Sequence, residues 1–376
     1  MRNALPLSVV PPVLDAVAAS RAVEAAIFAR AEAVDAAAAY PVADIAALAN
    51  RGLLHAPLPT QVGGTGLARD AAQLRDVLVA VGRASLTVGR LYEGHVNAAL
   101  LVEHYGAAAA MTILAGEAAA GRPSGVWNAE RGPGLAAHRT AGGWRLTGRK
   151  VHCSGAGWIV RPIVTARPVG VDAPIMLLPD LTAAGVTVDL SVWRAAGMRG
   201  TATATVDFDG VLVPDTAVIG TAGDYYRSPL FSGGAWRVLA VQLGGLERIL
   251  MLHAERLRGS GRDGDPVFRA RFAQAAAGCE LARLSVAEAA RRVADPGASA
   301  DAIDAYADLA RGGFEELALA GIAAARRNVG LGSFIAPDPL DRALRDLETY
   351  LRQPFLDASR DHAATWLIQR NGRFDT

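Results

Sequence analysis

Residues 142–167 read GGWRLTGRKVHCSGAGWIVRPIVTAR, a strand-like stretch in a chain otherwise rich in alanine and leucine. The pattern predicts a β-hairpin: a short strand over 144–147, a turn at 148–149 and a second strand over 151–154. Glycines 155 and 157 break the chain, and 158–166 is a β-branched run of the kind found in buried strands. Lys150, His152 and Ser154 occupy alternate positions, which puts them on one face of the second strand. Polar groups aligned on a rigid scaffold make a candidate site.

Outward from this island the sequence is helical. On the N-terminal side, Val13, Val17, Ile27 and Val34 recur at roughly helical spacing, and Tyr40 and Pro41 end that segment. A second helix is expected over 42–50, closed by Gly52. The link LLHAPLPTQVGGTGL (53–67) contains Gly63-Gly64-Thr65-Gly66, which lacks the GK[ST] ending of a phosphate loop and reads as a tight turn. Helices follow over 68–83 and 88–105, with Gly106 as the C-terminal cap. On the other side, strands are expected over 174–178, 186–190 and 201–213. In the last, TATATVDFDGVLVP (201–214), Gly210 marks a bulge or turn and Pro214 the end. Beyond 232, leucines 239, 243, 246, 250 and 257 line one helix face, the loop RGSGRDGDP (258–266) follows, and long helices cover 267–294, 300–329 and 339–350. Short loops between long helices predict an antiparallel four-helix bundle. The expected architecture is α+β: an N-terminal helical domain over 1–121, a central antiparallel β-domain over 122–228 and a C-terminal four-helix bundle over 229–376.

Thirty-eight basic residues against 37 acidic ones argue against nucleic acid or an anionic membrane surface as the main partner. Lys150 is the sole lysine. Cys153 and Cys279 stand alone, without zinc-ligand spacing, and fit a reducing cytosol. Arg2 is followed by prolines at 6, 11 and 12, which interrupt the apolar core a signal peptide needs, and no apolar run is long enough to span a membrane. A cytoplasmic protein is expected.

Five segments in order resemble the acyl-CoA dehydrogenase flavoproteins across essentially the whole chain. PLPTQVGGTGL (57–67) resembles the family's first Pro…GGxG turn, and AERGPG (129–134) its TEPGAG segment. GWRLTGRKVHCSG (143–155) resembles the GYxLNGxKxWITN hairpin, GMRGTATATVDFDGVLVP (197–214) the G-R-S/T…VxFxxVxVP strand pair, and PLDRALRD (339–346) the PxERxxRD helix start. The resemblance implies FAD between the β-domain and the bundle, in a homodimer or homotetramer built through the bundle. It puts His152 where the family has a flavin-stacking Trp and Ser154 where a Thr hydroxyl meets the flavin edge. Trp127 and Ala129 fall in the strand that touches the ring, Ala129 in place of a Thr. RGSGRDGDP stands where the family has RxQFG. It lacks QFG, and leaves Arg262 or Arg258 as the donor to a pyrophosphate, with a solvated surface role as the alternative.

The family's dehydrogenation needs a carboxylate base for the α-proton of an acyl thioester. Counting from Arg345 and Asp346 puts Pro354 of Gln353-Pro354-Phe355-Leu356 at that Glu. The second family location, on the first bundle helix, falls at Ala235 or Trp236. Asp357, otherwise an N-cap for a helix over 358–369, and His95, in YEGH (92–95) on an apolar helix, are the remaining candidates, with Glu93 expected on a helix surface. Two flavoenzyme functions stay open: a dehydrogenase of acyl-CoA or acyl carrier protein thioesters with a relocated base, and a monooxygenase of the same fold that needs no such base. A non-catalytic member is the third reading. Substrate and electron acceptor are not legible.

Overall fold

The computed structural model describes residues 14–374. Val13, Arg2 and the prolines at 6, 11 and 12 lie outside the described residues. The N-terminal helices are α1 (Ala16–Ala37), α2 (Val42–Asn50), α3 (Ala71–Ala84), α4 (Leu86–Tyr105) and α5 (Ala108–Ala119). Local chemistry sets their starts. The Asp15 carboxylate accepts from Ala18 N, Asp70 from Gln73 N, and the Ser85 hydroxyl from Val88 N, so that α3 and α4 are separated by a single capping serine. Gly106 does end α4, but with φ of −82° rather than in the left-handed region. Glycine is needed there because a Cβ would lie 2.6 Å from the Val102 carbonyl oxygen.

The strands are β1 (Val126–Trp127), β2 (Leu135–Thr140), β3 (Gly143–Cys153), β4 (Ile163–Pro168), β5 (Ile175–Leu177), β6 (Thr187–Asp189), β7 (Ala204–Asp207), β8 (Leu212–Pro214) and β9 (Val218–Ile219). The path runs β6-β7-β3-β2-β4-β5-β9, with β1 paired to β4 and β8 to β3. Most pairs are antiparallel, as expected, but β1–β4 and β2–β4 are parallel, which makes the sheet mixed.

The island differs in detail from its sequence reading. No turn stands at 148–149, because β3 runs through as one strand of 11 residues. The hairpin is β2–β3, turning at 141–142. Gly148 keeps the strand continuous at φ of +107°, where a Cβ would meet the Gly134 carbonyl oxygen at 2.3 Å. His152 adopts φ of +54°, and the register against β7 shifts between Lys150 and Cys153. This irregularity breaks the alternation, so Lys150, His152 and Ser154 do not share a face. The segment 158–166 becomes strand only from Ile163, and Trp158 sits in a turn with its ring stacked on Tyr40 at 4.9 Å. Residues 201–213 form two strands, split at Gly210 with φ of +83°.

The C-terminal part is built from α6 (Trp236–Gly259), α7 (Pro266–Val293) and α8 (Ala300–Val329), with α9 (Pro339–Tyr350) and α10 (Leu356–Ile368) laid against them. Asp357 does not cap α10: Phe355, at φ of +62°, occupies that position. α3 and α6 touch backbone to backbone. A Cβ on Gly82 would lie 2.2 Å from the Val241 carbonyl oxygen, and one on Gly244 2.2 Å from that of Val79. Apolar residues of all three regions join one continuous core. No described helix is long and apolar enough to cross a membrane.

Candidate functional site

The irregular end of β3 and the strand start at β7 meet at a chain of hydroxyls. The Thr201 hydroxyl donates to the Met198 carbonyl at 2.8 Å and lies 2.8 Å from that of Thr203, which lies 3.2 Å from Ser154 Oγ. Each hydroxyl has one proton. With that of Thr201 given to a carbonyl, Thr203 donates to Thr201 and Ser154 donates to Thr203. The half-buried Ser154 oxygen is left as an acceptor.

Trp127 holds this corner from below. Its ring is 2% exposed and its indole N–H donates to the Ser154 carbonyl at 3.0 Å, so it supports the turn from the core. Ala129 contributes backbone, its carbonyl accepting from Val151 N at 3.0 Å. His152 is turned outward by its positive φ and meets Trp193 edge-on. Lys150 is fully buried, and its three protons reach Glu130, Thr165 and the Asn128 carbonyl. Its amine is held by the fold, with no proton left for a ligand.

Helix α4 packs on β1 beside this corner. A Cβ on Gly94 would lie 3.7 Å from Gly125 Cα, and Ser124 N donates to His95 Nδ1 at 3.0 Å. His95 Nε2 lies 2.7 Å from the Leu54 carbonyl oxygen. A carbonyl only accepts and an amide N–H only donates, so the backbone fixes a neutral imidazole with its proton on Nε2. Burial pushes the His95 pKa down to about 4, with the Leu54 bond opposing. Both ring nitrogens are occupied, which leaves none for catalysis.

One turn along, the same helix turns a charged face to α6. Glu93 is 1% exposed, not a surface residue. Arg90 Nη1 donates to its Oε2 at 2.6 Å, and Asn97 Nδ2 donates to Oε1. Arg237, at the start of α6, donates Nε to Asn97 Oδ1 at 2.6 Å. The phenols of Tyr225 and Tyr350 lie close enough to feel Arg90 and Glu93, and burial raises both of their pKa values. Tyr226 reaches Asn128 with its hydroxyl at 3.1 Å and packs with Tyr225 and Phe231. α4, β1, the start of α6 and the end of α9 thus meet around a buried ionic group, with the hydroxyl chain on the β3 side. Of this group YEGH contains only Glu93, and the three-dimensional partner Arg237 distinguishes it from an ordinary helix face.

The two positions expected for a carboxylate base lie at the start of α6 and between α9 and α10. Ala235 and Trp236 open α6, and Pro354 precedes α10, its carbonyl accepting from Arg311 at 2.8 Å. Asp357 projects into solvent beside Arg360. Arg262 donates to the Asn328 carbonyl at 3.0 Å and stacks on Phe268. It follows the far end of α6, a 24-residue helix and so about 36 Å long, out of reach of Ser154. Arg258 is exposed on the same end. The residues at the Ser154 corner fit a flavin ring in chemistry: a hydroxyl acceptor, edge backbone and an imidazole beside an indole. Among the described residues no cluster suits a metal ion.

No family model and no curated protein sequence matches the chain. Solved structures do. The dibenzothiophene monooxygenase TdsC from Paenibacillus sp. A11-2 superposes with a TM-score of 0.83 at 20% identity, covering 96% of this chain and 98% of that one. Glutaryl-coenzyme A dehydrogenase, as its glutaryl-CoA complex, gives 0.83 at 17% identity over 98% of each chain. KijD3, in complex with FMN and a dTDP-linked amino-keto sugar, gives 0.81 at 23% identity, covering 98% of this chain and 96% of that one. The chain has the acyl-CoA dehydrogenase fold that these proteins share.

Proposed function

We propose that the protein is a flavin-dependent oxidoreductase of the monooxygenase type, acting on a small molecule held between α4 and α6. The observation that carries this reading is the state of the carboxylates. Pro354 and Ala235–Trp236 stand at the base positions, and the buried carboxylate between α4 and α6, Glu93, is already held by Arg90 and Asn97. Both of its oxygens are engaged within the protein. A bound flavin supplies two-electron redox chemistry and, when reduced, reaction with oxygen. The polarity of the Ser154–Thr203–Thr201 chain supports loading in the reduced form, because a reduced isoalloxazine presents an N–H on its central ring and Ser154 Oγ is left to accept one. His152, Ser154 and the Trp127 and Ala129 backbone would hold the ring.

Glu93 favours a second reading, a thioester dehydrogenase with its base relocated to α4. Anaerobic mixing of the oxidised holoprotein with acyl-CoAs separates the two. The monooxygenase reading expects no bleaching of flavin absorbance, and oxygen uptake when reduced flavin is supplied. Bleaching that Glu93→Gln abolishes overturns it in favour of the dehydrogenase. Ser154→Ala is expected to lower flavin retained through gel filtration by about tenfold, and unchanged retention removes Ser154 from the ring. Retention of FAD against FMN decides the nucleotide. In the FAD form Arg262 would serve the flavin of a second copy, in a homodimer or homotetramer. A cytoplasmic location accords with the two unpaired, buried cysteines.

A further inference from the structure

The α4–α6 contact holds more positive charge than its own residues neutralise. Arg90 and Arg237 share one carboxylate, Glu93, and both Glu93 oxygens are engaged by Arg90 and Asn97. Arg237 reaches that carboxylate only through the Asn97 amide. It is 7% exposed, and beyond Nε none of its N–H groups has a hydrogen-bond partner among the described residues. Of five guanidinium donors, four are unspent. The side chain folds back across a glycine: a Cβ on Gly234 would lie 2.2 Å from Arg237 Nη2. Burial lowers the Arg237 pKa to about 10, partly countered by the Glu93 charge, so the group remains a cation at neutral pH. The Tyr350 hydroxyl, close enough to Glu93 and Arg90 to feel both charges, is buried with no partner. A buried hydroxyl left unsatisfied is costly, and folding alone gives no reason to keep it near a guanidinium with four donors open.

We infer that this group is a subsite for a carboxylate on the substrate, seated on the Nη atoms of Arg237 with Arg90 and the Tyr350 hydroxyl beside it. Two guanidinium groups against one glutamate leave an excess of one positive charge, which a monoanion balances and a phosphate dianion would overshoot. The fork of N–H donors matches a planar carboxylate bidentately. The inference deepens the proposed function by naming a substrate class, a small carboxylic acid, and rests on the substrate site lying at the α4–α6 junction.

Calorimetric titration of the full-length protein with formate, acetate and benzoate, each against formamide, acetamide and benzamide, tests it without requiring turnover. At least one acid is expected to bind about tenfold or more tighter than its amide. Arg237→Gln is expected to erase that preference, and Glu93→Gln, which frees Arg90, to strengthen acid binding. The opposite signs matter, because damage to a merely structural cluster would weaken binding in both variants. Equal affinity for acid and amide, no binding by any of the three acids, or parallel losses in both variants overturns the subsite. Flavin content is measured separately: a preparation that prefers acids but never retains flavin sinks the flavin reading and leaves the subsite standing.

Discussion

Lys150 Nζ donates to Glu130 Oε1 at 2.6 Å from a side chain with no solvent exposure. The pair ties β3 to the loop after β1, and Thr165 and the Asn128 carbonyl take the remaining two protons. Lys150→Met would leave Glu130 with only Arg167 and the Leu135 N–H as partners. The expected cost is about 3 kcal/mol in urea denaturation, with flavin bound per folded molecule unchanged. A fall in flavin affinity without a fall in stability would return Lys150 to the site.

The neutral His95 makes stability pH-dependent. Its folded pKa of about 4 lies below the ordinary 6.5. As pH falls through 6.5, the unfolded chain takes up a proton that the folded chain refuses, so stability drops between 6.5 and 4. At pH 5 the loss is about 2 kcal/mol. Asp346, raised to about 6 by burial, acts in the opposite sense, adding stability as pH falls through 6. His95→Gln can keep both backbone bonds and has no proton to gain. Denaturation at pH 7.5 and pH 5 should therefore show the variant gaining on the wild type by about 2 kcal/mol at the lower pH. A constant gap would contradict the neutral assignment.

Gly82→Ala and Gly244→Ala each place a methyl about 2.2 Å from a carbonyl oxygen of the facing helix. Backbone cannot yield as a side-chain end can. Each variant should lose about 3 kcal/mol, whereas Gly116→Ala, with open space at its Cβ, should not be destabilised. Equal melting temperatures for the three variants would refute the contact.

Trp127→Phe retains most of the buried ring but leaves the Ser154 carbonyl without its donor. About 1 kcal/mol of stability should be lost, together with a measurable drop in flavin retention. Full retention would mean that the turn holds its shape without the indole.

Much of the fold was legible because its signals are local. Helix α2 follows Pro41 as its sequence implies, and the order of helices, sheet and bundle follows from periodicity and five motifs. The island misled where long-range pairing decided. Gly148 reads as a turn, but β2 and β7 pair with both halves of β3 and hold it straight. Alternation predicts a shared face for Lys150, His152 and Ser154, and one positive φ at His152 undoes it. At the site, Ser154 was visible as a hydroxyl at a motif position, whereas its partner Thr203 lies 49 residues away. Glu93 looks like any helical glutamate until Arg237, 144 positions later in the chain, is brought to the same side-chain network by the α4–α6 packing.

The glycine contact between α3 and α6 has a mechanical consequence. Helices that meet backbone to backbone at Gly82 and Gly244 cannot slide or hinge without breaking that contact. α4 follows α3 after one residue and Arg237 rides on α6, so the Arg90–Glu93 pair and Arg237 are fixed to the same joint. On the proposed function this makes the substrate site a mould rather than a pair of jaws, and a change of substrate range must come by replacing side chains such as Arg90 or Arg237, not by altering how far the protein opens.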